Sequence, residues 1–390
     1  MINKNIHTPE GLRDIYGSEN DIKLKVQRDI LDSIQSFGYR NIQTPTFEFI
    51  EVYGKEVGST PSNELYKFFD KEGNILALRP DFTPSIARCA TKYYNNECAP
   101  IRFYYTGNTF TNTINLQGRL NEMTQIGAEL IGDDSIYADA EMIYVAVMSL
   151  LAAGLRDFQI SISNVDYFRG ICEEVGLDNE TKDEVFTYLS KQNYFAAEEL
   201  LSNKGIAEDK YQKILTMSQL MGGQNALIRA RENVTNSISI SAIEKLEKIY
   251  ELLTVYKIDK YVSFDFSMIS KYKYYSGVIF KGYTYGIGEA IVTGGRYDKL
   301  MEQFGNDTSA IGFMYVVDDL LEAMRSQRIE VALNEKNAAI FFEEESFTKA
   351  VLKQEELRKN NVNVTMIFKQ DKVDIEEYRK KHNNVEIYEL

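Results

Sequence analysis

Gly294, Gly295 and Arg296 close a β-branched run in the stretch IVTGGRYDKL. Glycines let backbone N–H groups approach a phosphate, and an arginine fork pairs with one bidentately, so the stretch fits nucleotide binding. It fits equally a tight turn that brings backbone close to any small ligand, and three residues alone do not decide between the two. Gln125 and Glu129 stand four apart in NEMTQIGAELIG. On a strand that spacing puts both side chains on one face, and on an otherwise apolar strand this describes a polar pocket. Asp81 follows Pro80 in LRPDFTP, where capping a turn competes with ligand binding as its role. Tyr274 and Tyr275 are two of 26 tyrosines, a number that serves packing before it serves a cofactor. His7 and His382 stand alone near the termini and support neither a metal nor acid–base chemistry. Cys89, Cys98 and Cys172 have neither disulfide-framework nor zinc spacing and read as thiols in a reducing compartment.

The elements that must position these residues follow from periodicity. Ile22, Val26, Ile30, Ile34 and Phe37 predict an amphipathic helix over 20–37, stopped by Gly38. RNIQTPTFEF follows as a strand, and YKFFDKEGNILALRPDFTP reads as a hairpin turning at DKEGN. A helix is expected over 84–94, then strands at 101–106, 107–113 and 122–132 with the polar loop NTINLQGR before the last. An apolar helix, YADAEMIYVAVMSLLAAG, closes this half. From about 165 to 257 helical periodicity dominates, which marks a helical insertion. Strands return at YVSFDFSM, YYSGVIFKGY and YGIGEAIVT, then a helix from Tyr297 and the strand and helix of SAIGFMYVVDDLLEAM. Residues 335–390 alternate β-α-β-α-β, the pattern of a small α/β appendage with a parallel sheet.

Composition bounds the function. The 390 residues with 44% apolar content supply a large core. A net charge of −14 argues against a nucleic-acid partner, because such affinity comes largely from neutralised phosphates. The polar N-terminal stretch lacks a secretory h-region, and no run reaches bilayer-spanning length. A soluble cytoplasmic protein is expected.

Four stretches occur together in a telling order: TPEGLRDIYGSEN near the start, LRPDFTP at 78–84, RLNEMTQIGAELIG at 119–132, and the YYSGVIF, GGRYDKL and AIGF segments within 274–313. In this the chain resembles the histidyl-tRNA synthetases, a branch of the class II aminoacyl-tRNA synthetases, over most of residues 8–325. The resemblance implies an α+β fold: a core over 1–325 built on an antiparallel sheet flanked by helices, with a motif 1 helix and strand at a dimer interface. It also implies a pocket for free histidine. In the family's pattern Asp81 and Thr83 bind the ligand's α-ammonium, Gln125 and Glu129 contact its amino group and imidazole, and Tyr275, with Tyr274 beside it, lines the ring pocket. Gly294 and Gly295 then let backbone lie against the ligand, and Arg296 either pairs with its carboxylate or is structural, as is Arg119. The chemistry is coherent, since carboxylates and an amide oxygen satisfy an ammonium while a carboxylate and a phenol satisfy both ring nitrogens.

Departures from the family decide what is expected of the chain. The motif 2 arginine falls at Thr111 and its glutamate partner at Thr113. The motif 3 arginine falls at Asp319, and the arginine before the tyrosine pair at Ser270. Amino-acid activation needs these cations on the ATP phosphates, and losing one preorganised donor costs ~10²–10³ in rate. Adenylate formation is therefore not expected, and no cofactor or metal is implied. A histidine pocket without ATP chemistry resembles one paralogous family, the regulatory subunits of ATP phosphoribosyltransferase. That family accompanies the short form of the catalytic subunit, contributes no catalytic residue and is expected to sense histidine as feedback inhibitor. A divergent histidyl-tRNA synthetase and a free-standing amino-acid-binding paralogue are the alternatives.

Overall fold

The computed structural model describes residues 6–54, 60–94, 97–112, 120–268, 274–333, 336–370, 374–382 and 385–390. Thr113, Arg119 and Ser270, with most of the NTINLQGR loop, lie outside them. Two units form, residues 1–330 and 331–390.

A nine-stranded sheet organises the first unit. At its centre six strands run antiparallel to their neighbours, in the spatial order Ile101–Phe110, Glu122–Ile131, Ala310–Val316, Val292–Arg296, Val278–Thr284 and Phe158–Asn164. Beyond them Arg40–Asn41 pairs with Ile101–Phe110 in parallel, and Val262–Asp265 pairs in parallel with Phe158–Asn164. The antiparallel core expected from the sequence is present, and its edges make the whole sheet mixed.

Three sequence expectations change. The single strand expected over RNIQTPTFEF is split into Arg40–Asn41, on the edge of the large sheet, and Phe47–Phe49, in a separate small sheet. Residues 101–110 form one unbroken strand instead of two. Gly107, at the boundary between the two expected strands, sits where a Cβ would approach the Arg79 guanidinium to 2.6 Å and the Phe82 ring to 2.9 Å, so the glycine admits a neighbour instead of turning the chain. The strand Phe158–Asn164 was not anticipated, although Phe158, Ile160 and Ile162 alternate toward the interior as a strand requires.

Helix Gly17–Ser36 buries Val26, Ile30 and Ile34, the stripe its spacing predicts. The hairpin forms as Lys67–Phe69 and Ile75–Leu78, joined by Phe47–Phe49 into a separate three-stranded antiparallel sheet. Between the strands Phe158–Asn164 and Val262–Asp265 the chain is largely helical, from Val165–Val175 to Ser237–Val255. It also carries a two-residue strand, Met221–Gly222, on the edge of the large sheet. No helix of the described residues is long and apolar enough to cross a membrane.

The second unit is a parallel three-stranded sheet in the order Val362–Phe368, Lys336–Phe342, Val385–Glu389. Its small core gathers Ala338, Ile340, Ala350 and Leu357.

Candidate functional site

The central strands expose one face to a cavity of about 420 Å³. Alternation along each strand chooses the side chains that enter it. From Glu122–Ile131 these are Met123, Gln125 and Glu129; from Val292–Arg296, Thr293 and Gly295; from Ala310–Val316, Gly312, Met314 and Val316. The turn before helix Thr83–Tyr93 adds Asp81 and Thr83, and Tyr274 and Tyr275 close another wall.

Glu129 lies at the centre of this arrangement and is 1% exposed. The Thr83 hydroxyl donates to its Oε1 at 3.0 Å and the Tyr297 hydroxyl to its Oε2 at 2.7 Å. Burial pushes the Glu129 carboxyl up to about 8, outweighing those two hydrogen bonds, and the neighbouring Asp81 charge pushes the same way. Tyr297 and Tyr105 are fully buried beside it, and burial drives both phenols well above their ordinary range. The Tyr105 hydroxyl occupies the gap left by Gly127, where a Cβ would come within 2.3 Å of it. Asp81 turns its Oδ1 toward the Thr83 N–H at 3.3 Å. Gln125 is buried, and its Oε1 has no hydrogen-bond partner among the described residues. A buried acceptor left open in a cavity wall is costly unless a ligand donor meets it.

The LRPDFTP turn is braced from behind. The Arg79 guanidinium donates to the Asn108 and Thr44 carbonyls at 2.8 and 3.2 Å and lies 4.0 Å from the centre of the Phe82 ring. Phe82 in turn stacks on Tyr105 at 4.4 Å. The braced turn can thus hold Asp81 and Thr83 opposite Glu129 with little freedom.

Seven of the nine expected ligand-binding residues meet at this cavity; Gly294 and Arg296 do not. Gly294 faces the other side of its strand, where a Cβ would strike the Phe280 ring at 2.3 Å. Arg296 shares that side, and its guanidinium grips Asp139 at 2.6 Å and the Asp133 carbonyl at 3.0 Å. Arginine type alone does not distinguish a ligand contact from a buried ion pair, and here it is the pair. Of the positions where the synthetase arginines would fall, Thr111 lines the cavity, while Asp319 lies in the first turn of helix Val317–Ser326, off its walls.

Three contributors were missed in the sequence: Tyr105, Tyr297 and Gly312. Tyr297 directly follows the GGR triplet, two places on from Gly295 and one past the strand's end, so alternation continued by one residue was the available signal for it. Gly312 pairs with Glu129 in strand register, and a Cβ there would fall 1.6 Å from Glu129 Oε2. Gly312→Ala is therefore expected to displace the Glu129 carboxyl and to cost about 1–3 kcal/mol of stability by overpacking. Thermal unfolding measures the cost, and a stability equal to that of the wild type would contradict the placement of the Glu129 carboxyl against Gly312.

Chemically, the described lining is a set of acceptors. Asp81, Glu129 and the open Gln125 oxygen suit a ligand that brings several N–H donors and positive charge, with Tyr274, Tyr275 and Met314 flanking an apolar or ring portion.

Known proteins match this description. The histidyl-tRNA synthetase family model matches residues 11–320. An ATP phosphoribosyltransferase regulatory subunit from Acetivibrio thermocellus is 36% identical over 92% of this chain and 86% of its own length. Its counterpart from Clostridium kluyveri is 32% identical over 98% of both chains. A solved Bacillus halodurans protein, described as an ATP phosphoribosyltransferase regulatory subunit/histidyl-tRNA synthetase, superposes with a TM-score of 0.89 at 28% identity, covering 99% of this chain and 98% of that one. Histidyl-tRNA synthetase from Nostoc sp. PCC 7120 shares the fold at a TM-score of 0.82 and 20% identity, covering 97% and 90% of the two chains. The chain belongs to the histidyl-tRNA synthetase family and, within it, to the regulatory subunits of ATP phosphoribosyltransferase.

Proposed function

We propose that this chain is a non-catalytic regulatory subunit that binds free histidine in the cavity around Glu129, assembles with a short-form ATP phosphoribosyltransferase catalytic subunit and carries histidine's feedback inhibition to it. The observation that carries the reading is the buried Glu129 carboxyl, held by Thr83 and Tyr297 beside Asp81 and the open Gln125 oxygen. Such a group accepts an imidazole N–H, while Asp81 and Gln125 accept the α-ammonium. Thr111 on the cavity wall supports a site that holds the amino acid without activating it, since a triphosphate needs a cation at that position. The charge of −14 favours a role without tRNA.

Self-association as a class II-like dimer is part of the proposal. Phe47 is 49% exposed, Phe49 54% and Phe68 37%, and the strand register puts the three on one face of the small sheet formed by Phe47–Phe49 and its hairpin. Exposed aromatic side chains on one sheet mark an association surface. Histidine binding then favours one arrangement of the hetero-oligomer, by no more than its differential affinity for the two arrangements.

The test is formation of phosphoribosyl-ATP from ATP and phosphoribosyl pyrophosphate by the short catalytic subunit, with and without this chain and with and without histidine. Activity that needs this chain and falls with histidine is the expected result. No activation at any ratio, together with histidine-dependent ATP–pyrophosphate exchange, would return the chain to the synthetases.

A further inference from the structure

The ammonium site proposed for histidine has two acceptors, Asp81 and the open Gln125 oxygen, and they stand on different elements. Thr124, the neighbour of Gln125, joins them. The strand Ala310–Val316 ends where Val316 pairs with Gln125, and beyond it a side chain takes over as acceptor: Asp318 Oδ2 accepts the Thr124 N–H at 2.8 Å. Thr124 is buried, and alternation turns its side chain away from the cavity that Gln125 enters. Its hydroxyl donates to Oδ1 of Asn108, its register partner, at 3.1 Å. The Asn108 carbonyl in turn accepts from the Arg79 guanidinium that braces the turn carrying Asp81.

Asp318 is itself fixed. It stands in the first turn of helix Val317–Ser326 and does not line the cavity. Its Oδ1 accepts from the Lys23 ammonium of helix Gly17–Ser36 at 2.8 Å, in an ion pair whose side chains are 10% and 9% exposed. A carboxylate engaged through both oxygens in such surroundings has little freedom, and its charge strengthens the bond to the Thr124 N–H. One buried ion pair therefore holds the point from which both ammonium acceptors are placed.

We propose that Asp318, steadied by Lys23, is a positioning residue for the ligand's ammonium group. It sets the strand at Thr124, and so aims Gln125 directly and Asp81 through Asn108 and Arg79. Glu129, which meets the ring, keeps the Tyr297 hydroxyl whatever happens at Thr124. Loss of Asp318 is thus felt by the amino group of a ligand more than by its imidazole. The inference rests on the histidine reading and adds to it the residues that set the preference for an amino-bearing ligand.

The experiment is calorimetric titration of the intact chain with histidine and with imidazolepropanoate, which keeps the ring and the carboxylate and lacks the amino group. Lys23→Met combined with Asp318→Leu removes the Thr124 acceptor without stranding a buried charge, and circular dichroism verifies the fold. Histidine binding should weaken at least ~10-fold and imidazolepropanoate binding less than ~3-fold, since the ammonium contacts are the ones disturbed. Lys23→Met combined with Asp318→Asn returns an acceptor to the Thr124 N–H and should bring histidine back within ~3-fold of the wild type. Thr124→Val cuts only the branch to Asn108; it should weaken histidine selectively, at least ~3-fold, and it decides the matter if the Asp318→Leu pair does not fold. Unchanged histidine affinity, a parallel loss of both ligands, or no recovery with Asp318→Asn overturns the positioning role. A wild-type chain that does not bind histidine overturns the histidine reading and this role with it, whereas a failure confined to the variants overturns the role alone.

Discussion

Above pH 8, where the Glu129 carboxyl is ionised, Glu129→Gln is expected to leave the chain folded and to weaken histidine binding by about 10²–10³-fold, the cost of ~3–4 kcal/mol for removing one charged partner from a buried hydrogen-bonded contact. The amide keeps the volume and still accepts from Thr83 or Tyr297, so what is lost is the carboxylate that faces the ligand. Titration calorimetry on wild type and variant gives the ratio, and a dissociation constant within threefold of wild type would remove Glu129 from the ligand site. The same variant has a signature in the empty protein. Burial raises the Glu129 carboxyl from 4.5 to about 8, so between those pH values the folded chain holds a proton that the unfolded chain has released. Its contribution to stability is complete below pH 4.5 and is lost as pH rises through 8, on the order of a few kcal/mol in all. Glutamine does not titrate. The variant should therefore match the wild type's melting temperature near pH 5 and exceed it increasingly toward pH 9, and parallel curves would contradict the burial-driven shift.

Arg296→Ala should destabilise the first unit by about 3–5 kcal/mol, because it strands the buried Asp139 carboxyl. Both side chains are under a tenth exposed, and the guanidinium also satisfies the Asp133 carbonyl. Burial already pushes Asp139 up to about 6 against the pull of Arg296. With the arginine gone the carboxyl protonates at neutral pH, so the deficit shrinks toward pH 5, where that proton is cheap. Denaturant unfolding at pH 5 and pH 8 measures both, and Arg296→Met combined with Asp139→Leu should recover part of the loss. A deficit below ~1 kcal/mol at pH 8 would return Arg296 to the list of ligand contacts.

Much of this molecule was legible in its sequence where one physical rule governs a position. Gln125 and Glu129 share a face because strand side chains repeat every two residues, and they do meet at the cavity. The helix stripe of Val26, Ile30 and Ile34 and the β-α-β-α-β run of the second unit were read for the same reason. What escaped depends on partners distant in sequence. Arg296 reads as a ligand contact until Asp139, 157 residues earlier, is seen beneath it. The strand over 101–110 reads as two, divided before Gly107, until Arg79 and Phe82 are seen packed against that glycine. Gly312 carries no local signal, since its meaning is the carboxylate of the opposite strand.

The pairing of Glu122–Ile131 with Ala310–Val316 joins neighbours in the sheet that are separated in the chain by the entire helical segment. The floor of the cavity therefore cannot exist until the ribosome has passed residue 316. During synthesis, at about 5–20 residues per second, the Glu122–Ile131 strand waits on the order of ten seconds with one edge unpaired. The stretch Ile126 to Ile131 is buried on both faces and apolar but for Glu129, a run prone to adhere to other strands while its edge is open. A chain cut short before Ala310 would lose both the floor of the cavity and the cover on the free edge of this strand.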